Sequence, residues 1–438
     1  MLQSADTLPE RLCHIWGTVT EVSPGMVRIA GINEHAGLGN EVLIDTQAGG
    51  VRGEILNISN DGVTAFLFGE TEAVRIGARA YIDQEATVAP GDHWIGQIIN
   101  YRGEIVGDDA GMPLTGIPRK LIGKPPASHL RKSLGERLNT GLMITDTVIP
   151  ICRGQRLGLF AGSGVGKSTL LGALANGVEA DRIVIALIGE RSRELNDFAN
   201  HTLPAEARAK SVIVTATSSE PPGAKKRAAY CAMAAAEHFR DQGHHVLLLF
   251  DSITRFAEAH REVALIGGET PALHAYPPST VRTIAELAER AGPGSAQQGD
   301  ITAIFSVLVA GSDMEEPVAD MIRGILDGHI VLSRDIAQRS RYPAIDVLQS
   351  VSRALPRAAS PEENALLSEY RRNIAQYEEL APMLRANLYE RGHDALGDRA
   401  IDLYPALDHF VSEPCATGIA DAFTHLKSLL EAVPQTTG

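Results

Sequence analysis

Cysteine is scarce in this chain: four residues (Cys13, Cys152, Cys231 and Cys415) are scattered through 438, and none stands in a Cys-x-x-Cys pair. That excludes a disulfide-stapled scaffold and a zinc ribbon, and the thiols read as those of a reduced cytosolic protein. Long apolar runs are missing as well. Val246–Phe250 is among the longest and is far too short to cross a bilayer. No apolar segment follows a basic start, so no signal peptide is expected. Positive charge is in deficit, with 40 Lys and Arg against 54 Asp and Glu and a formal net charge of −14. This argues against nucleic-acid binding by the surface as a whole, though not against a local basic patch. The 14 histidines contain no His-Glu-x-x-His, and His244–His245, just before an apolar run, reads as structural. What remains is ordinary globular chain, 44% hydrophobic and 21% charged, long enough for about two to four domains.

Glycine, by contrast, is plentiful, and three glycines fall in the stretch Ala161-Gly-Ser-Gly-Val-Gly-Lys-Ser-Thr169. This fits a phosphate-binding loop with Ala161 in the place of the usual first glycine. Gly162, Gly164 and Gly166 let the backbone turn tightly, so that several N–H groups face one anion. Lys167 adds a point charge for the β- and γ-phosphates, and the Ser168 hydroxyl suits Mg²⁺. Arg156–Phe160 reads as a strand, and Ser168–Asn176 reads as a helix whose N-terminus favours phosphate. The spacing predicts a nucleoside triphosphate held by Gly162, Ser163, Gly164, Val165, Gly166, Lys167, Ser168 and Thr169.

From Ile15 to about Ile82 the pattern has period two. Strands are expected at Trp16–Val22, Met26–Ile29, Glu41–Ile44, Val51–Ile55 and Val63–Phe68, with turns at Ser23–Gly25, Gly49–Gly50 and Asn60–Gly62. Short strands at this spacing predict a small all-β barrel or sandwich. Little aromatic and basic interleaving accompanies them, which favours a structural role over oligonucleotide binding. Thr87–Pro150, rich in Gly and Pro as at Gly111–Pro113 and Lys124–Pro126, predicts an extended connector rather than a core element. Beyond Cys152, apolar strands at Ile183–Ile188, Val212–Thr215, Val246–Phe250, Ile301–Val309 and Ile330–Leu332 alternate with helices such as Ala224–Arg240 and Ser252–Val263. That alternation predicts a parallel sheet covered on both faces, with ligands beyond the carboxyl ends of its strands.

Two carboxylates stand at such ends. Asp251 closes Val246–Phe250 and is placed to orient Mg²⁺ beside Ser168; it would serve equally well to cap the next helix. Glu190 closes the strand Ile183–Ile188, which follows the loop's helix, and is placed to polarise an attacking water; the alternative is a surface pair with Arg191 or Arg193. After Ser360 the chain turns helical. Ser360-Pro-Glu-Glu363 is a capping box with proline at the first helical position. Leu366, Leu367, Tyr370, Ile374 and Tyr377 then form a stripe at helical spacing that faces core, and further helices are expected over Asp398–Val411 and Gly418–Val433.

Beyond the loop itself, Pro343-Ala-Ile-Asp-Val-Leu-Gln-Ser-Val-Ser352 resembles the signature of the rotary ATP synthase α/β and type III secretion ATPase superfamily. Within it the chain is most similar to the flagellar protein-export ATPases, through Arg153–Lys167, Tyr276-Pro-Pro-Ser279 and Ile325–Arg334. The resemblance runs from about residue 15 to 412. It implies an α/β fold: an N-terminal small β-barrel (1–86), a central RecA-like P-loop domain with a parallel sheet (87–353) and a C-terminal helical domain (354–438). It further implies hydrolysis of ATP with Mg²⁺, with Lys167, Glu190, Arg191, Asp251 and Arg353 as catalytic residues. Tyr342 would stack on adenine, and Arg353 would be an arginine finger reaching a neighbouring subunit's site.

The resemblance also implies a homo-hexamer with stalk-like and stator-like partners, export chaperones and clients, and peripheral contact with a membrane export gate on the cytoplasmic side of the inner membrane. Two departures stand out. Relatives carry a longer N-terminal extension for the stator-like partner, and Met383–His393 differs from the group's usual glycine- and valine-containing stretch, which points to altered substrate or stalk recognition. Three alternatives stay open on sequence. One is a virulence-type secretion ATPase. Another is a hexameric RNA translocase of the transcription-termination type, against which the acidic balance argues. The last is a non-catalytic ring subunit, against which Glu190 argues.

Overall fold

The computed structural model describes residues 15–433 apart from 48, 70, 108–115, 273–274 and 310–313. Cys13 and the Gly111–Pro113 turn lie outside the described residues. The period-two region closes on itself. Strands β1 (Trp16–Ser23), β2 (Met26–Ala30), β3 (Asn40–Thr46), β4 (Gly49–Ser59), β5 (Gly62–Leu67) and β6 (Arg79–Glu85) form a closed barrel in the order β1-β2-β5-β4-β3-β6. Alternate side chains, among them Val19, Val27, Ile29, Val42, Ile44, Ile55 and Val63, fill its interior. Gly49 and Gly50, expected as a turn, instead begin β4 opposite Thr46 and Asp45. The reversal falls between Thr46 and Gly49, because pairing with β3 runs to the end of both strands.

The central sheet runs β7 (Ile98–Ile99), β8 (Ile105–Val106), β9 (Arg156–Ala161), β10 (Arg182–Glu190), β11 (Ser211–Thr217), β12 (His245–Asp251), β13 (Asp300–Leu308), β14 (Gly328–Leu332) and β15 (Ile345–Ser352) along the chain. In space the order is β15-β14-β9-β13-β12-β10-β11-β7-β8, parallel from β14 to β7 and antiparallel at both outer pairs. The continuous apolar runs are explained by burial on two faces. Ile183, Ile185 and Leu187 of β10 enter one core, while Val184, Ala186 and Ile188 enter the other. Helices cover both faces: α1 (Lys167–Gly177), α2 (Pro222–Asp241), α3 (Ile253–Ile266), α4 (Ser279–Glu289), α5 (Pro317–Ile325) and α6 (Arg334–Gln338). The barrel docks on the start of α2, where a Cβ on Gly223 would stand 2.5 Å from the Phe66 ring. Only glycine admits that approach, and Lys226 reinforces it with a 3.1 Å bond to Glu54.

The connector corrects the sequence expectation. Trp94, Ile99 and Leu121 are buried in the core, and β7 pairs with β11 through Ile98–Ile213 and Ile99–Val214. Strands this short carry no readable period. A buried ion pair pins the segment. Arg290 meets Glu237 through two bonds of 2.9 and 2.8 Å and donates a third to the Leu121 carbonyl at 2.8 Å. The Arg290 and Glu237 side chains are 2% and 3% exposed. Removing one partner strands the other charge, so Glu237→Ala should cost about 3–5 kcal/mol, read as a lowered urea midpoint with an unchanged slope.

The helical region comprises α7 (Pro361–Arg385), α8 (Ala395–Phe410) and α9 (Ile419–Glu431). Both halves of the Ser360–Glu363 capping box form, at 3.1 and 2.8 Å. Leu367, Tyr370 and Ile374 are buried, with Leu366 packed against them. Helix α8 starts before the expected Asp398 because Asp394 caps it, accepting from Leu396 N–H. Among the described residues no helix is long and apolar enough to cross a membrane.

Candidate active site

Strand β9 lies between β13 and β14 and ends at Ala161, so the glycine loop opens at the carboxyl edge of the sheet. Gly164 (φ +76°) and Gly166 (φ +92°) take left-handed backbone that other residues resist. Val165 is buried and anchors the loop from below, while Ser163, Ser168 and Thr169 face outward at the start of α1. Open N–H groups at a helix N-terminus make an anion cradle.

The Lys167 ammonium lies 2.5 Å from Asp251 Oδ1 and 3.5 Å from Glu190 Oε1. Burial alone pulls its pKa down, but the two carboxylates outweigh that and raise it, so the lysine keeps its charge. Asp251 does not cap the next helix. Ser252 does so, accepting from Arg255 N–H, while Asp251 Oδ1 also accepts from the Ser306 hydroxyl at 2.6 Å. Glu190 makes no pair with its neighbours either, since Arg191 pairs with Glu194 and Arg193 with Asp197. Burial pushes the Glu190 carboxyl up to about 7, with Lys167 opposing and Asp251 adding to the rise. A carboxyl so tuned suits proton exchange with water near neutrality.

Tyr342, half exposed, comes over the loop: two of its ring carbons stand 3.5 Å from where a Cβ on Gly166 would be. Arg353 does not reach this place. It follows β15, whose Ser352 is level with Gly328 at the start of β14, while Ala161 is level with Leu332 at the end of β14. The separation along the sheet is about 13 Å. Its guanidinium is exposed and donates to the Arg323 carbonyl at 3.2 Å. Arg191 is also exposed, at the start of the short helix Ser192–Asp197.

Two neighbours of the site were not singled out from sequence. Ser306 holds Asp251, and Arg255, in the first turn of α3, packs its side chain against Gly189 and senses both Glu190 and Asp251. The available signal was position alone. Arg255 sits one helical turn after a carboxylate at a strand end.

Strand, glycine loop, partly buried lysine and two strand-end carboxylates define a P-loop nucleoside triphosphatase. Residues 141–352 match the nucleotide-binding domain of the ATP synthase alpha/beta family, 15–81 match that family's beta-barrel domain, and 359–417 match the T3SS EscN ATPase C-terminal domain. The flagellum-specific ATP synthase of Caulobacter vibrioides is 40% identical over 97% of this chain and 96% of its own. The SPI-2 type 3 secretion system ATPase of Salmonella typhimurium is 39% identical over 92% of each chain. The assembled ATPase EscN of the enteropathogenic E. coli type III secretion system superposes with a TM-score of 0.88 at 33% identity, covering 94% of this chain and 100% of that one. The chain belongs to the ATP synthase alpha/beta family and, within it, to the ATPases of type III secretion and flagellar export. The RNA-translocase alternative is not favoured, since barrel, core and helical region each match this family.

Proposed function

We propose that the chain hydrolyses MgATP at sites shared between adjacent subunits of a homo-hexameric ring, and that hydrolysis energises export of flagellar proteins. The carrying observation is Lys167 held between Asp251 and Glu190 at the mouth of the glycine loop. Loop N–H groups and Lys167 bind the phosphates. Hard oxygen donors from Ser168 and Asp251 suit Mg²⁺, which when bound neutralises charge on the β- and γ-phosphates. Glu190 holds and polarises the attacking water. Arg353 of the adjacent subunit meets the charge developing on the transferred phosphoryl group, a role its place at the far edge of its own sheet favours. Arg191, beside Glu190, orients the same corner.

Tyr342 stacks on adenine. Base–aromatic stacking contributes about 1–3 kcal/mol, so Tyr342→Ala should raise the Kd for ATP by about 5- to 150-fold with a smaller change in kcat, checked by titration and steady-state kinetics.

The assembled EscN and its complex with the central stalk EscO support a ring with a stalk-like partner here. A stator-like regulator, chaperones, clients and a membrane export gate complete the proposed partners, with the ring cytoplasmic and peripheral to the inner membrane. The glycine-rich loop and the flagellum-specific relatives favour flagellar clients. The test is gene deletion. Loss of filament and motility is the expected result; intact motility with arrested effector secretion would reassign the clients.

A further inference from the structure

Tyr342 sits in a short loop, 339–344, between α6 and β15, and both flanks of that loop are tied to the helical region. Arg341, whose side chain is 11% exposed, meets Asp408 of α8 at 3.2 Å and donates to the Pro343 carbonyl at 2.9 Å. Arg339 donates to the Tyr404 hydroxyl of α8 at 3.0 Å and approaches Glu378 of α7 at 3.9 Å. Tyr404 in turn stacks on Tyr377 of α7 at 3.5 Å. Between the two arginines, Ser340 holds φ +60°, a left-handed conformation that residues other than glycine resist. It closes α6 as a Schellman cap, with Ser340 N–H on Ala337 O and Arg341 N–H on Ile336 O. A strained residue persists when its surroundings over-determine it, and here the two arginine anchors do so. Arg339, Ser340, Arg341 and Asp408 line, with Tyr342 itself, a cleft of about 420 Å³.

We propose that Arg341 and Asp408, supported by Arg339 and Tyr404, are positioning residues that hold Tyr342 over the phosphate loop by clamping its loop to the helical region. The clamp sets affinity for the base of the nucleotide and leaves the phosphate site untouched. This rests on Tyr342 stacking the base. The arrangement is economical in reach: Arg341 is adjacent to Tyr342 in sequence, so a shift of α8 at Asp408 moves the ring directly.

The test measures binding of ATP and of inorganic tripolyphosphate, which has no base, to the full-length protein and to Asp408→Asn, Arg341→Lys, Tyr342→Ala and the Tyr342→Ala/Asp408→Asn pair. Asp408→Asn and Arg341→Lys should weaken ATP about 5- to 20-fold while tripolyphosphate affinity stays within twofold and KM rises more than kcat falls. In the pair, Asp408→Asn should add little to Tyr342→Ala, the signature of residues acting through one another. Equal weakening of both ligands would reduce the clamp to a general structural role and overturn the proposal. So would full additivity in the pair. If Tyr342→Ala weakens ATP while Asp408→Asn and Arg341→Lys do not, the clamp fails and stacking stands; if Tyr342→Ala has no effect, stacking itself fails and takes the proposal with it.

Discussion

Glu190→Gln is expected to bind ATP at close to normal affinity while its turnover falls by about 10²- to 10⁴-fold, the usual range for loss of a positioned general base. The substitution keeps the shape of the side chain and removes its charge. Lys167 retains Asp251 at 2.5 Å, so the phosphate cradle stays intact. What is lost is the only described carboxylate besides Asp251 within reach of the lysine. Single-turnover hydrolysis and nucleotide binding measured on the same preparation separate the two effects. Undiminished turnover would remove Glu190 from the reaction; weakened binding with normal turnover would make it a ligand of the ground state.

Arg353→Ala should lower turnover by about 10³- to 10⁵-fold, the loss associated with an arginine that neutralises transition-state charge. Its effect on folding should be small. The guanidinium is exposed and makes one described hydrogen bond, to the Arg323 carbonyl, so the thermal midpoint should barely move. A surface substitution that leaves stability alone and abolishes hydrolysis has its explanation in another subunit. Loss of stability in step with activity would make Arg353 a structural tie between β15 and α5.

Some of this was legible in the sequence because it is local. The glycine loop, the apolar strands ending in Glu190 and Asp251, and the Ser360 capping box each state their geometry within a few residues. The barrel's order was not legible, since alternation identifies strands without saying which pair. The connector misled for a related reason: Ile98 and Ile99 join the sheet through Ile213 and Val214, more than a hundred residues on, and nothing nearby announces it. Whether Asp251 caps the next helix needed coordinates, because Ser252 beside it is as good a cap and takes that duty. Tyr342 and Arg353 carry no local signal at all. On pattern alone they are a core aromatic and a surface charge, and resemblance supplied their roles. The fold then distinguishes them: Tyr342 comes over Gly166, whereas Arg353 lies at the opposite end of the sheet.

On the proposed function, Tyr342 and Arg353 of one chain therefore serve two different sites, each completed by a neighbouring subunit. Mixing inactive Arg353→Ala with inactive Glu190→Gln protein, under conditions where sedimentation confirms mixed rings, tests this directly. In a random ring about one interface in four joins an intact Glu190 to an intact Arg353, so hydrolysis should return to about a quarter of the wild-type rate. Mixed rings that stay as inactive as either parent would contradict a site completed by the neighbouring subunit.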